Sequence, residues 1–226
     1  MEESKTRTIR EKIYEWGQRH YKNFPWRSTN NPFHGLVAEI LLQRTRAESV
    51  VPVYQEFVER FESPEELAAA PVEDIKSLIY PLGLHWRAPL LHRLGQALAQ
   101  RSSFPSSIDE LKDLPGVGDY TANAWMSFHG GKRGVLIDSN TVRLFARLSG
   151  RERNGETRRK KWLRTLADKV TPSQSAPSFN YALLDFTMNV CMPANPKCAQ
   201  CPIGISLCEE GRERLDSPRS QNADTE

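Results

Sequence analysis

Leu114-Pro115-Gly116-Val117-Gly118-Asp119-Tyr120 is the stretch on which the reading of this chain turns. Two glycines flank one apolar residue, and a helical run from Tyr120 to Phe128 follows at once. Glycine tolerates positive φ, so the stretch predicts a tight hairpin. Such a hairpin aims successive backbone N–H groups outward at the head of a helix, where they can hold a phosphate. Val117 would pin the turn to the core. A plain interhelical turn has the same sequence, so the hairpin must be read with its surroundings.

Downstream, Val135-Leu136-Ile137-Asp138-Ser139-Asn140-Thr141-Val142-Arg143 leads apolar residues into an acid just ahead of a new helical pattern, Val142, Leu144, Phe145 and Leu148. Asp is a favoured N-cap. A capping carboxylate can also point into a cleft, so Asp138 is both a cap and a candidate catalytic group. Upstream, the run from Gly35 to Thr45 is apolar nearly all round, through Leu36, Val37, Ile40, Leu41 and Leu42. A helix of that composition is buried. It carries one acid, Glu39, and one amide, Gln43, at a spacing that shares one side of a helix. Acids are seldom buried without a partner or a task.

Elsewhere the apolar period is helical. Val50, Tyr54, Phe57, Val58 and Phe61 follow it, as do Ile75, Leu78, Ile79 and Leu82, and again Leu163, Leu166, Ala167 and Val170. Connectors with stop and start signals fall at Ser63-Pro64, Ala70-Pro71, 103–107 and 113–118. Gly130-Gly131, 150–155 and 171–177 read as loops. Strict alternation long enough for a sheet is missing. The expectation is an all-α fold of about ten helices, with a polar, unstructured tail from Glu209 onward.

Of the 226 residues, 38% are hydrophobic and 26% charged, which suits one or two domains with a true core. The net charge of +3 permits nucleic-acid binding without arguing for it. Basic residues gather at Arg44, Arg46, Arg87, Arg93 and in Arg158-Arg159-Lys160-Lys161, the last equally readable as a solvated helix face. No apolar run reaches the roughly 20 residues of a membrane helix, and the first ten residues hold no signal-peptide core. The expected location is the cytoplasm or nucleoid, with no membrane partner.

All four cysteines lie in Cys191-x6-Cys198-x2-Cys201-x6-Cys208. Clustered cysteines in a reducing compartment read as metal ligands, suiting a [4Fe–4S] cluster or a structural zinc. One close pair flanked by two wide gaps favours a loop around the larger object, the cluster.

Taken together these elements resemble the helix-hairpin-helix DNA glycosylases of the endonuclease III superfamily, over about 21–208. The resemblance rests on Phe24-Pro25-Trp26-Arg27, Glu39-Ile40-Leu41-Leu42-Gln43-Arg44-Thr45, Leu114 to Gly118, Asp138 and the cysteine loop, in that order. It implies two lobes with a lesion site in the groove between them. A six-helix barrel would span 26–131, an iron–sulfur lobe 1–25 plus 132–212, and a disordered tail 213–226. Related enzymes have five residues between the last two cysteines where this chain has six, which sets Cys208 apart from the pattern. The implied partner is double-stranded DNA carrying a mismatched or damaged base, bound by a monomer.

The same resemblance assigns roles. Gly116, Val117 and Gly118 would hold the DNA backbone. Gln43 and Leu84 would fill the gap left by the flipped base, although Leu84 also reads as a core leucine. Asp138 matches the catalytic Asp, which stabilises positive charge on the sugar. Tyr120 stands where bifunctional members carry a Schiff-base lysine, and a phenol cannot form an imine, so the expected enzyme is monofunctional.

An acid at Glu39 is shared by adenine glycosylases, where it protonates the base, and by mismatch thymine glycosylases. Three features favour removal of thymine or uracil opposite guanine. The chain ends soon after the cysteines. The segment Phe179 to Phe186 looks closer to the mismatch group. Gln43-Arg44-Thr45 departs from the Gln-Gln-Thr of adenine enzymes. A MutY-like adenine glycosylase is the alternative. A non-catalytic iron–sulfur or zinc DNA-binding module is the third reading, and it has no need of both Glu39 and Asp138.

Overall fold

The computed structural model describes residues 1–174 and 176–216, and every regular element among them is helical, as the apolar period predicts. The chain divides into two units, 23–134 and a second made of 1–22 with 135 onward. No helix among the described residues is long and apolar enough to cross a membrane.

The unit 23–134 contains α2 (Pro32–Leu41), α3 (Ala47–Arg60), α4 (Pro64–Ala69), α5 (Val72–Ile79), α6 (Ala88–Ala99), α7 (Ile108–Lys112) and α8 (Asp119–Phe128). Serines and an asparagine start several of them. Asn31 Oδ1 accepts the N–H of Phe33 and of His34, while Ser63 and Ser107 cap α4 and α7 by accepting from Glu66 and Glu110. The core is built from Phe33, Leu36, Ile40, Phe57, Leu67 and Leu91, among others. Helix α2 is buried along its length. It packs on α8 closely enough that a Cβ on Gly35 would lie 2.6 Å from the His129 ring. Burial pushes His129 down to about 4, so the ring there is neutral at pH 7.

Sequence and structure differ at the end of α2. The apolar run suggests helix as far as Thr45, but α2 stops at Leu41, and Arg44 adopts φ 61°. A left-handed residue turns the chain out of the helix, which takes Gln43 off the helical face it was expected to share with Glu39.

The other unit holds α1 (Glu3–His20), α9 (Ser139–Ser149), α10 (Lys161–Val170), α11 (Ala176–Asn189) and α12 (Glu209–Asp216). Its core joins Ile9 and Ile13 of α1 to Phe145, Leu163, Phe179 and Phe186. Helices α1 and α11 cross so tightly that a Cβ on Gly17 would fall 2.2 Å from that of Ala182. The loop expected over 171–177 is shorter, because Ala176 and Pro177 open α11, a first-turn position that proline tolerates.

The unstructured tail expected from Glu209 is a helix as far as Asp216, and 217–226 lie outside the described residues. Polarity hid α12 from the sequence because it is held by local ion pairs and not by an apolar stripe. Arg212 reaches Glu209 at 3.1 Å, Arg214 reaches Glu210 at 2.7 Å, and Lys5 of α1 reaches Glu209 at 3.3 Å. The Arg158–Lys161 run is exposed, the solvated face that was one of its two readings.

Candidate active-site residues and cysteine cavity

In the unit 23–134, the hairpin forms as the glycine spacing predicts, with a turn from Val117 N–H to the Leu114 carbonyl at 3.2 Å and Val117 buried. Gly116 takes φ 82°, and a Cβ there would meet Leu90 at 2.6 Å. Gly118 differs. Its φ of −97° suits any residue, and no heavy atom lies within 4 Å of where its Cβ would be. Neither backbone strain nor packing within the chain accounts for a glycine there.

Gln43 is brought to this hairpin. Its amide nitrogen donates to the Gly116 carbonyl at 3.2 Å and to Thr121 Oγ1 at 3.0 Å, tying the end of α2 to the turn. Tyr120, in the first turn of α8, is half-buried. Leu84 is only 9% exposed. It belongs to neither hydrophobic core cluster and lies in a turn whose Gly83 adopts φ 67°.

Glu39 is 4% exposed, on the buried face of α2. Burial raises its carboxyl to about 8, against the opposing pull of the Arg27 guanidinium. At pH 7 the side chain is therefore mostly the neutral acid, a proton donor inside an apolar wall. The lone acid in an apolar run was the sequence signal for this buried carboxyl.

Arg87 was read from sequence only as part of a basic cluster, yet it is 3% exposed. Its Nη1 donates to the Ile40 carbonyl at 2.9 Å, satisfying one of the acceptors that a helix leaves open at its C-terminus. Burial lowers its pKa, and the Arg44 charge adds to the effect.

In the other unit Asp138 is the N-cap of α9 and part of a capping box. Its Oδ1 accepts from the N–H groups of Asn140 at 3.0 Å and Thr141 at 2.7 Å, while Thr141 Oγ1 accepts from Asp138 N–H at 2.9 Å. Oδ2 accepts from Asn140 Nδ2 at 2.9 Å. The carboxylate is thus fixed in orientation by three donors at a helix N-terminus, as the capping reading has it.

Two arginines of α9 were missed by the sequence reading. Arg143 Nη1 donates to Asn140 Oδ1 at 3.0 Å, its Nε to the Cys191 carbonyl at 2.9 Å and its Nη2 to the Thr187 carbonyl at 2.8 Å. Arg147 Nη1 donates to the Met192 carbonyl at 2.7 Å and lies 3.4 Å from Cys191 Sγ. Both arginines are nearly buried, and two cations four apart in an apolar helix are a sequence signal that periodicity alone passes over.

Cys191, Cys198, Cys201 and Cys208 are all free thiols and line one cavity with Leu144 and Arg147. Cys208 takes its place beside the others despite the extra residue in its loop, and the Gly211 N–H donates to its sulfur at 3.4 Å. No three His, Cys, Asp or Glu side chains among the described residues close on a single point as one metal ion requires. Four half-buried thiols spread around one apolar cavity, with N–H donors at two sulfurs, fit a polynuclear cluster better than a lone ion.

Comparison with known proteins agrees with this architecture. The family model described as HhH-GPD superfamily base excision DNA repair protein matches residues 37–171. A thymine/uracil-DNA glycosylase of Pyrobaculum aerophilum is 39% identical, the match covering 92% of this chain and 94% of that protein. An adenine DNA glycosylase of Buchnera aphidicola is 33% identical over 80% of this chain, but only 52% of that protein is covered. Among solved structures, a thermostable thymine-DNA glycosylase superposes with a TM-score of 0.85 at 31% identity, covering 93% of this chain and 98% of that one.

Proposed function

The chain belongs to the HhH-GPD superfamily of base excision DNA repair proteins, and from that premise we propose that it is a monofunctional DNA glycosylase removing thymine or uracil mispaired with guanine. The observation that carries this reading is likeness to a thymine/uracil-DNA glycosylase along nearly the whole of both chains, against about half of an adenine enzyme.

The chemistry assigned to the residues follows from their surroundings. The hairpin N–H groups around Gly118 take the DNA backbone, and the target base leaves the stack, which costs a few kcal/mol and least at a mismatch. As the C1′–N1 bond breaks, its electron pair goes to the pyrimidine and positive charge builds on the sugar. Asp138, held by its three donors, opposes that charge and accepts the proton of the water that adds to C1′. Glu39, neutral at pH 7, donates a hydrogen bond to a carbonyl oxygen of the departing base, where negative charge grows. Tyr120 supplies no amine, so the product is an intact strand with an abasic site.

The test is a glycosylase assay on matched duplexes with G:T, G:U, A opposite 8-oxoguanine, and A:G. Thymine and uracil should leave opposite guanine, strand breaks should need added alkali, and borohydride should trap no covalent adduct. Release of adenine instead would move the chain to the adenine enzymes. Failure on all four duplexes would leave only a binding module.

The four cysteines are assigned as ligands of a [4Fe–4S] cluster, which when bound supplies a covalent brace across 191–208. The reaction itself is carried by the residues above. Aerobically purified protein should be brown and hold about four irons per chain by the stoichiometry of such a cluster. Cys198→Ser should lower both iron content and Tm. A colourless, zinc-loaded protein would overturn the assignment.

A further inference from the structure

Trp86 has no role in the reading above, and it is the most unusual side chain on its unit. It is 61% exposed, whereas of the other four tryptophans Trp26 and Trp125 are buried and Trp16 and Trp162 half-buried. A single exposed aromatic needs no explanation by itself. The indole is nevertheless held in place. The Arg87 guanidinium carbon lies 4.9 Å from its ring centroid, and Arg87 is itself buried and anchored to the Ile40 carbonyl. One face of the indole is therefore backed by a fixed cation while the ring stays largely open to solvent. Beside it, exposed Tyr80 stacks on His85 at 5.5 Å.

We propose that Trp86 is a base-stacking residue: its solvent-open face receives a nucleobase of the DNA, in a base–indole–guanidinium sandwich. The inference rests on the glycosylase reading and adds to it a second contact from the Gly83–Arg87 turn, beside the one expected of Leu84. Its place in the unit supports a nucleic-acid occupant. Arg87 joins the turn to the last carbonyls of α2, next to Gln43, which is bonded to the hairpin, and exposed Arg44 is close enough to act on Arg87 electrostatically. An aromatic face flanked by cations is the surface that unpaired bases favour, because every base has a π-face and the backbone is anionic.

Titrating the full-length protein with a duplex that carries an abasic-site analogue opposite guanine tests this, read by tryptophan emission and by binding. Wild type should show strong quenching. Trp86→Ala should lose most of the quenching and bind roughly 5- to 150-fold more weakly, the range that follows from alanine substitution at stacked bases. Trp86→Phe keeps a π-face and should recover much of the affinity, which separates stacking from misfolding, as should an unchanged Tm for Trp86→Ala. Trp86→Ala that binds like wild type overturns the proposal, and this would also be the result if the surface served a protein partner. If wild type excises thymine while the variant does so equally well, the stacking role fails and the glycosylase reading stands. If wild type neither binds nor excises, both fail.

Discussion

Asp138→Asn lowers the single-turnover rate of thymine excision by about 10²- to 10³-fold, the usual loss when a preorganised electrostatic group is removed from a site, with little change in Tm. The separation of the two effects is what makes the variant informative. Asn and Asp are comparable N-caps, so Oδ1 of the new side chain still accepts from the Asn140 and Thr141 N–H groups. What disappears is the charge, together with the acceptor that faces Asn140 Nδ2. Asn140 cannot simply rotate its amide, because its Oδ1 is taken by Arg143. A modest drop in Tm follows from that mismatch, far short of what the rate shows. Asp138→Ala is a poorer experiment, since losing the cap alone costs about 1 kcal/mol. Full activity in Asp138→Asn would remove the residue from the chemistry.

Glu39→Gln is expected to stabilise the fold at neutral pH while keeping part of the activity, because its amide still donates a hydrogen bond as the protonated acid does. The folded-state pKa of about 8 lies above the ordinary value of 4.5. The carboxyl therefore contributes favourably only while protonated. That stability is fully present below about pH 4.5 and is lost as pH rises through 8. Glutamine never ionises, so the variant should melt like wild type at pH 4.5 and later than wild type at pH 7 and above. The gap is on the order of 3 kcal/mol at pH 7. Wild-type excision should fall on the alkaline side as the acid loses its proton, and the variant's residual rate should be flat there. Equal melting temperatures at pH 8.5 would refute the buried-acid argument, and an alkaline fall in the variant's rate matching that of wild type would refute the donor role of the protonated carboxyl. A group that destabilises its own helix at the working pH is one retained for function.

How far the site could be read from sequence depended on whether its signal was local. Asp138 was legible because a capping box is written in four consecutive residues, and the hairpin because Gly116-Val117-Gly118 runs straight into a helix. Glu39 stood out as a lone acid in an apolar run, although only the folded wall around it sets its proton affinity. Arg87 and Trp86 were illegible for the opposite reason. The cation is buried by a carbonyl 47 residues away in sequence, and the indole is oriented by that cation. Gln43 was found, but its anchoring to Gly116 is a tertiary fact. The arginines of α9 were hidden among core positions, since their partners, the Cys191 and Met192 carbonyls, lie 48 and 45 residues along the chain. Helix α12 escaped because its polarity matches a tail, and ion pairs to α1 and along its own length do the work that an apolar stripe does elsewhere.

The Gly17–Ala182 crossing has a consequence for the way the protein is made. Helix α1 belongs to a unit whose other helices are translated only after 23–134, which lies wholly between. At about 5–20 residues per second, α1 waits on the order of ten seconds before α11 exists. Until α9, α10 and α11 follow, Ile9, Ile13 and Gly17 lack their full set of core partners, while the intervening segment has its own core to assemble. The nascent chain thus carries Ile9, Ile13 and Gly17 of α1 uncovered until translation passes α11, so this unit is the last to close.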